Sequence, residues 1–465
     1  DTVYPRESTM ERKGRSKSRG RSSERGSAGS KERRSTSSPA GGGGKKEKFH
    51  YEFGGPTGTT INMLALPFVV IFLYTACPSV SEGPCLPGVN VFALSKMWWP
   101  SASHLFTFEA FFVVTAWFFF IYALELALPK TIVLGVPLSD GSRLPYRINS
   151  HLSFWVALFV VEHSPWGGNG LAWVYDNFVQ LATAACVLST LFSIGLYVAS
   201  FRQGAKLAQG GCSGCVPYDL WMGRELNPRV GGWDLKFFCE MRPGLIGWAV
   251  LNLACAAKER ELRGGNSLAM IVVCMFQGFY VWDGQYNESS VLTTLDVTTD
   301  GFGYMLCFGD LAWVPFTYAT QARYLVEHSS GLSDFMVCVF TLIGVGGYYL
   351  FRAANYEKDA FRKDPSSQAV AHLKYMNTKR GTRLLVSGWW GMARKINYTG
   401  DWLMGLSWSL VTGFGSVVSY FFPIYFAILL VHRAWRDDEM CAKKYGDDWI
   451  KYKKKVPYVF IPGLL

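Results

Sequence analysis

The stretch LFTFEAFFVVTAWFFFIYALELA, which spans Leu105–Ala127, decides the class of fold for this chain. Only Glu109 and Glu125 in it are charged, and most other positions hold aromatic or aliphatic side chains. An α-helix needs about 20 mainly apolar residues to cross the roughly 30 Å hydrocarbon core of a bilayer. The stretch therefore predicts a helix that spans a membrane.

Similar apolar runs recur from about residue 60 onward, separated by short polar breaks. The third, fifth and ninth runs are shorter than a full span requires, so the number of spans is ten, give or take one. The sequence thus predicts an all-α, multi-pass integral membrane protein with about ten transmembrane helices. The predicted spans are about 61–77, 105–127, 149–162, 172–201, 244–258, 267–283, 302–325, 335–352, 402–414 and 416–432.

The overall composition excludes a cytosolic globular protein. Of the 465 residues, 49% are hydrophobic, 16% are aromatic and only 17% are charged. Soluble domains average about 25% charged residues, and this chain would have to expose its apolar surface to water.

Four charged residues fall inside predicted spans, namely Glu109, Glu125, Asp310 and Arg323. Charges within a bilayer are costly and usually functional or paired. Asp310 and Arg323 are too far apart to contact each other on one helix, so we expect each to have a partner elsewhere. Glu109 and Glu125 are expected to face a cavity or a neighbouring helix.

Residues 1–48 differ from the rest of the chain, because they hold 14 Lys and Arg against 6 Asp and Glu and almost nothing apolar. Ordering such a segment costs entropy that no core repays. We therefore predict a disordered, Arg/Ser-rich basic tail at 1–48 and a membrane domain at 49–465. The tail is either a solvated linker or a segment that binds polyanions through its cations.

The distribution of Lys and Arg among the loops predicts the orientation of the spans. With the basic tail in the cytosol, an even number of spans places the Lys- and Arg-rich loops on the cytosolic side, as the positive-inside rule requires. One predicted outer loop, 259–266, departs from the rule because it contains Arg260 and Arg263. The predicted inner loops are 128–148, 202–243 and 354–401, and the other predicted outer loops are 78–104, 163–171 and 326–334.

Three polar segments between residues 350 and 465 carry candidate binding chemistry. Lys358 and Arg362 are four residues apart, so on a helix they share a face and form a clamp of two cations; the alternative is a pair of cations that snorkel at a helix end. The segment from Leu384 to Asp401 places Trp389 and Trp390 shortly before Arg, Asn and Tyr, which offers stacking surfaces beside hydrogen-bond donors. A planar heterocycle attached to phosphates needs both.

The third segment is a stripe of one helix, formed by Asp437, Cys441, Tyr445, Trp449 and Tyr452. A carboxylate, a thiol and aromatic rings suit the wall of a ligand site better than a core.

A different group of polar residues surrounds Tyr280. Asp283 and Glu288 follow it in the chain, and a phenol near carboxylates can donate a proton; the alternative is an ordinary tyrosine of the membrane interface. No G-x-G-x-x-G motif follows a strand, so a Rossmann domain is excluded. Cys212 and Cys215 form a lone C-x-x-C pair, and no metal site is predicted.

Taken together, these residues resemble the sterol reductases, in the branch of the delta(14)-sterol reductases and the lamin B receptor. The resemblance covers about residues 49–465, and the basic tail before Phe49 is similar to that of the lamin B receptor. The amino-terminal Tudor domain of that receptor is missing here, which suggests a fragment or a shortened form. The motifs that carry the resemblance are Gly135–Gly141, Gly223–Arg229, Glu240–Trp248, Leu385–Gly391 and Lys443–Gly446.

The resemblance implies NADPH-dependent reduction of the sterol C14–C15 double bond, with a sterol that reaches the site from the bilayer. Catalytic roles are implied for Tyr280, as the acid that protonates the alkene, and for Asp437. The implied NADPH contacts are Lys358, Arg362, Leu385, Trp390, Asn397, Tyr398, Asp437, Cys441, Ala442, Lys443, Lys444, Tyr445 and Tyr452.

The chain departs from the family pattern at three positions: Lys395 and Thr299 stand where a His is common, and Val459 stands where an Arg is usual. Two alternatives therefore stay open. One is a catalytically weak or inactive tether of the inner nuclear membrane that binds lamin, chromatin or nucleic acid through residues 1–48. The other is a membrane methyltransferase of the isoprenylcysteine type. The expected location is the membrane of the endoplasmic reticulum or the inner nuclear membrane.

Overall fold

Helices dominate the computed structural model of the chain, which describes residues 49–78, 85–86, 100–138, 141–163 and 167–464. The predicted helical class is confirmed, and the predicted tail at 1–48 lies outside the described residues. The helices are α1 (Gly55–Thr75), α2 (Ala102–Leu105), α3 (Phe108–Ala127), α4 (Ser150–His163), α5 (Gly167–Asp176), α6 (Phe178–Ala199), α7 (Val216–Met222), α8 (Leu235–Met241), α9 (Pro243–Arg263), α10 (Leu268–Tyr286), α11 (Glu288–Val291), α12 (Leu295–Thr298), α13 (Tyr304–Phe308), α14 (Val314–Tyr318), α15 (Thr320–Glu327), α16 (Asp334–Lys363), α17 (Trp389–Met392), α18 (Ile396–Leu410), α19 (Phe421–Tyr445) and α20 (Asp447–Lys455).

Three short antiparallel ribbons, which the sequence analysis does not predict, join some of these helices. They pair β1 (Thr131–Leu134) with β2 (Pro145–Ile148), β3 (Arg229–Val230) with β4 (Trp233–Asp234), and β5 (Tyr375–Asn377) with β6 (Arg383–Leu385). The residues from His50 onward form one compact unit.

Five helical segments of the described chain are long and apolar enough to cross a membrane. They correspond to the first, second, fourth, eighth and tenth predicted spans. The segments are Gly55–Thr75, Ser103–Ala127, Phe178–Ala199, Asp334–Lys363 and Val418–Tyr445.

The seventh predicted span, 302–325, is not one continuous helix. It divides into α13, a π-helical turn at Gly309–Trp313, α14 and α15. Pro315 is the second residue of α14, and a proline cannot donate the hydrogen bond that would continue the preceding turn. Helix α9 packs closely against the π turn, because a Cβ atom on Gly244 would overlap the carbonyl of Asp310. A pattern that counts only apolar residues contains no information about this packing. It therefore predicts an uninterrupted span here.

One end of the bundle is tied together by backbone and disulfide contacts. Cys77, just after α1, is joined to Cys85 by a disulfide, and its carbonyl accepts a hydrogen bond from the Arg323 guanidinium at 2.5 Å. The Ser416 hydroxyl donates to the carbonyl of Leu86 at 2.7 Å. Arg323 thus has the distant partner that its place in a span requires. The segments that meet here fall in or beside predicted outer loops.

The exceptional outer loop, 259–266, carries matched charges. Arg263 lies 3.5 Å from Glu259, and Lys258 pairs with Asp176 and Glu261 at 3.1 and 3.2 Å. Since acidic neighbours accompany the basic residues, the local excess of positive charge is small.

Helices α16 and α18 form the tightest pair of the fold, and small residues let them approach. A Cβ atom on Gly347 would lie 2.7 Å from the carbonyl of Gly400, and one on Gly344 would lie 2.5 Å from the Ser407 hydroxyl. Small residues at such positions allow helix backbones to pack closely. The contact fixes the far end of α16, with Lys358 and Arg362, against the start of α18.

Candidate cofactor-binding and active site

A cavity of about 440 Å³ opens where α16, the β5–β6 ribbon, α17, α19 and α20 meet. Its walls carry cations, aromatic rings and a few carboxylates. The residues that line it are Lys358, Phe361, Arg362, Arg383, Leu384, Leu385, Trp390, Arg394, Lys395, Val431, Ala434, Trp435, Asp437, Asp438, Cys441, Tyr445, Trp449, Tyr452, Val459 and Phe460.

Four cations of the cavity have no ion pair among the described residues, and one of them, Arg394, donates instead to the carbonyls of Val456 and Pro457 at 2.7 Å. The Lys358 ammonium lies 4.0 Å from the centre of the Trp390 ring, and the Arg383 guanidinium lies 4.9 Å from the centre of the Tyr375 ring. Arg362, one helical turn beyond Lys358, lines the same wall and is exposed. A cation that faces an open cavity without an acidic partner is suited to bind an anionic ligand.

Backbone geometry holds the Trp389–Trp390 segment against α16. The indole of Trp390 donates to the carbonyl of Ala354 at 2.8 Å, and the amide of Trp389 donates to the Glu357 carboxylate at 3.0 Å. Gly388 has φ +63°, and a Cβ atom there would lie 2.4 Å from the Glu357 side chain. Only glycine fits this position, and it turns the chain so that Trp390 reaches the cavity.

The opposite wall is the aromatic stripe of α19 and α20. The rings of Tyr445, Trp449 and Tyr452 stack in sequence with centre-to-centre distances of 6.2 and 5.0 Å. The Trp449 indole donates to Asp438 at 2.9 Å, which fixes α20 against α19. Burial raises the pKa of Tyr452 to about 12, so its hydroxyl stays neutral.

Lys395 forms an ion pair with Asp437 at the side of the cavity between α18 and α19. Asp437 is one of the two residues predicted to be catalytic. The pair is flanked by the Tyr398 ring, whose centre lies 5.1 Å from the Lys395 ammonium. Lys395 is therefore a paired cation, unlike Lys358, Arg362 and Arg383.

The predicted cofactor residues fall into two groups by their place in the structure. Asn397 donates to Asn355 at 3.2 Å at the α16–α18 contact, and Tyr398 lies beside Lys395. Ala442, Lys443 and Lys444 are exposed and are not part of the cavity lining. The predicted residues that line the cavity are Lys358, Arg362, Leu385, Trp390, Asp437, Cys441, Tyr445 and Tyr452.

Tyr280, the other predicted catalytic residue, lies outside this lining, on α10. Its ring packs against Trp248 and Trp408, with centres 6.1 and 5.6 Å away, and both tryptophans are only 1% exposed. Its hydroxyl donates to the Asp401 carboxyl group at 3.1 Å. The nearest acids in sequence are not its partners: Asp283 accepts from Tyr348 at 3.1 Å, and Glu288 pairs with Arg242 at 2.8 Å.

Charged residues at the same end of the bundle position α19. Arg433 pairs with Asp296 at 2.7 Å, and Arg436 pairs with Glu52 at 3.2 Å. The fully buried Lys236 ammonium donates to the carbonyls of Asp296, Val297 and Asp300 at 2.5, 3.0 and 2.8 Å. Burial lowers the pKa of Lys236 to about 8. These contacts hold the segment from Asp296 to Asp300 in place. Asp296 contacts α19 at Arg433, one helical turn before Asp437.

Sequence reasoning does not assign several residues that the structure places at the site. Arg383 is one of them, because a single cation in a short strand has no periodic signal. Asp401 is another: it closes the Leu384–Asp401 segment, but only the tertiary fold brings it to Tyr280. Trp435 and Asp438 lie within two residues of Asp437 on α19. This proximity to a predicted site residue is the signal that could have identified them.

Comparison with known proteins places the chain among enzymes of sterol metabolism. The model of the Ergosterol biosynthesis ERG4/ERG24 family matches residues 47–465. The chain is 43% identical over 429 residues to the Delta(14)-sterol reductase of Ascobolus immersus, which covers 89% of this chain and 99% of that protein. It is 44% identical over 423 residues to the Delta(14)-sterol reductase erg24 of Schizosaccharomyces pombe, with 90% and 98% covered.

A further relative is the Delta(14)-sterol reductase LBR of Gallus gallus, which is 44% identical over 418 residues. This match covers 88% of the chain and 63% of that protein. With a family match over nearly all the residues that follow the tail, this chain belongs to the ERG4/ERG24 sterol reductase family.

Proposed function

We propose that the chain is an NADPH-dependent Delta(14)-sterol reductase, which reduces the C14–C15 double bond of a sterol. The names of its relatives support the reaction. The observation that carries the proposal is the cavity, where Lys358, Arg362 and Arg383 lack ion pairs among the described residues and aromatic rings form the facing wall.

The residues of the cavity fit a phosphorylated dinucleotide. Its unpaired cations suit phosphate groups, and the rings of Trp390, Tyr445 and Trp449 suit planar heterocycles. We propose that Lys358 and Arg362 hold phosphate and that the aromatic wall holds a ring. When bound, NADPH supplies the hydride for the reduction.

The residues of the chain itself divide the remaining chemistry. Tyr280 is proposed to protonate the alkene, because its phenol can donate a proton and its ring packs against the apolar rings of Trp248 and Trp408. Asp437, paired with Lys395, is proposed to contact the cofactor.

We propose ten transmembrane helices, with the cavity on the cytosolic side of the endoplasmic reticulum or inner nuclear membrane. The five long apolar helices support a membrane domain. The disulfide between Cys77 and Cys85 supports the orientation, because disulfides persist in the oxidising lumen and are rare in the cytosol. The sterol would enter from the bilayer.

The test is complementation of a yeast strain that lacks its own Delta(14)-sterol reductase, followed by sterol profiling. Expression of the chain should remove the Δ14 sterols, whereas the Lys358→Ala/Arg362→Ala variant should leave them. Purified protein should bind NADPH and not S-adenosylmethionine, which separates reductase from methyltransferase. Persistence of Δ14 sterols at normal expression of the unaltered chain would contradict the proposal.

A second function is proposed for the basic residues 1–48, as a tether to lamin, chromatin or nucleic acid. The similarity to the LBR protein of Gallus gallus and the tail's excess of cations support it. Deletion of 1–48 should release the protein from the nuclear rim while Δ14 reduction continues. An unchanged location would contradict the tether.

A further inference from the structure

Tyr280 has one hydrogen-bond partner among the described residues, the carboxyl group of Asp401. The two oxygens are 3.1 Å apart and come from different helices, α10 and α18. Around them, Trp248 and Trp408 are joined to Tyr280 by ring contacts, and Trp408 packs on Phe422 at 5.0 Å. A phenol in such a place can lose its proton once, and a second turnover requires that the proton be replaced.

The two carboxyl groups near the reaction site differ in their partners. Asp437 is paired with Lys395 and lines the cofactor cavity. Asp401 has no cation within ion-pair distance among the described residues, and it is only partly accessible. A carboxylate in a poorly hydrated place without a cation is costly, so such a group carries a proton more readily than a paired one. Of the two acids, Asp401 is thus the one suited to exchange a proton with Tyr280.

We propose that Asp401 returns the proton to Tyr280 in each catalytic cycle. The inference rests on the proposed function. The O–H bond of Tyr280 breaks, and its proton forms a C–H bond with the π electrons of the alkene. The resulting cation takes the hydride that NADPH supplies. The Asp401 O–H bond then breaks, its proton re-forms the phenol, and Asp401 regains a proton from water.

The Asp401→Asn variant tests this step, because an amide oxygen still accepts the Tyr280 hydrogen bond but the group cannot carry the proton. We expect its steady-state kcat to fall about 100-fold, within the usual range for acid–base catalysis. The first turnover needs only the proton already on Tyr280. Rapid mixing should therefore show a burst of sterol reduction, equal to one product per site, at a rate close to that of the unaltered protein. Asp401→Glu should restore part of the steady-state rate.

Three comparisons keep the result specific. Tyr280→Phe should lose both the burst and the steady state. Asp283→Asn removes another carboxyl group of α10, one turn from Tyr280 and bonded instead to Tyr348, and should leave both rates unchanged. Binding of NADPH, followed by its fluorescence, should be unchanged in Asp401→Asn, since Asp401 does not line the cavity.

An equal slowing of the first and later turnovers in Asp401→Asn would overturn the proposal, because that result indicates a role in packing alone. Full steady-state activity of the same variant would overturn it as well. Failure of the proposed function gives a different result: the unaltered chain would then reduce no Δ14 sterol and bind no NADPH.

Discussion

Arg323 at one end of the helix bundle and two arginines at the other end, Arg362 and Arg383, have different surroundings. At the end that carries the disulfide, the buried Arg323 donates to the carbonyl of Cys77 and lies 4.3 Å from the centre of the Tyr74 ring. At the end that carries the cavity, Arg362 and Arg383 have no ion pair within the described part of the chain.

The difference separates a cation that has a partner within the fold from cations that are proposed to bind NADPH. Removing a buried group that satisfies a partner leaves that partner unpaired, which costs stability. Removing a cation that faces an open cavity leaves nothing unpaired in the free protein, so the cost appears only on binding. The residue type is the same at both ends, and its surroundings decide which property a mutation changes.

The largest effect is expected from the Lys358→Ala/Arg362→Ala variant. Loss of two charge-assisted contacts to phosphate, each worth about 1.5–3 kcal/mol, should weaken NADPH binding about 1000-fold. The melting temperature without cofactor should stay within about 2 °C, because neither cation has an ion pair among the described residues. Fluorescence titration and thermal unfolding in detergent measure the two quantities.

The matched control for this variant is Asp359→Ala/Lys363→Ala. It removes an exposed ion pair of 2.7 Å from the same turn of α16, outside the cavity lining. This control should leave NADPH affinity unchanged. An equal loss of affinity in both variants would show that binding responds to any change at this end of the helix rather than to a clamp.

Helix spacing made this part of the site predictable. Lys358 and Arg362, and the stripe from Asp437 to Tyr452, follow the period of a helix, and both patterns lead to one cavity. Apolar runs likewise indicate the helical class, because burial in lipid demands them whatever the tertiary structure.

Contacts between distant segments could not be predicted in the same way. Asp401 lies 121 residues from Tyr280, and no local pattern encodes which acid a phenol will meet. The break of the seventh span at Gly309–Trp313 depends on how α9 packs against it. The three ribbons consist of strands of two to four residues, too short for an alternating pattern to emerge.

The Arg323→Met variant tests the structural role of the arginine at the end of the bundle that carries the disulfide. The substitution keeps much of the packing volume but removes the hydrogen bond to Cys77 and the contact with Tyr74. We expect a loss of about 3 kcal/mol in the free energy of unfolding, typical of a broken buried polar contact. NADPH affinity should be unchanged, because the cavity is at the other end. Weaker NADPH binding at an unchanged melting temperature would reverse the assignment of the two ends.

A smaller effect on binding is expected from Gly388→Ala. The residue has φ +63° and approaches Glu357 closely, so a methyl group should displace Trp389 and Trp390. We expect about a tenfold weaker binding of NADPH. Gly381→Ala is the control, since that glycine has φ +76° but no atom within 4 Å of a Cβ. Backbone strain in this control should lower the melting temperature without changing the affinity for NADPH. A loss of affinity in the control would show that strain elsewhere in the hairpin is enough to weaken binding.

The smallest effect is expected from Arg383→Ala. This guanidinium is exposed and rests on Tyr375, so a contact with the cofactor is partly screened by water. We expect the variant to bind NADPH about fivefold more weakly than the unaltered protein. The difference in affinity should become smaller as the salt concentration is raised. Arg380→Ala removes a cation from the turn of the same hairpin, which contacts the carbonyl of Lys444 outside the cavity lining, and should have no effect. If titration finds the same loss of NADPH affinity in both variants, the hairpin acts through its overall charge. The distinction between cations that bind the cofactor and cations that do not would then apply only to α16.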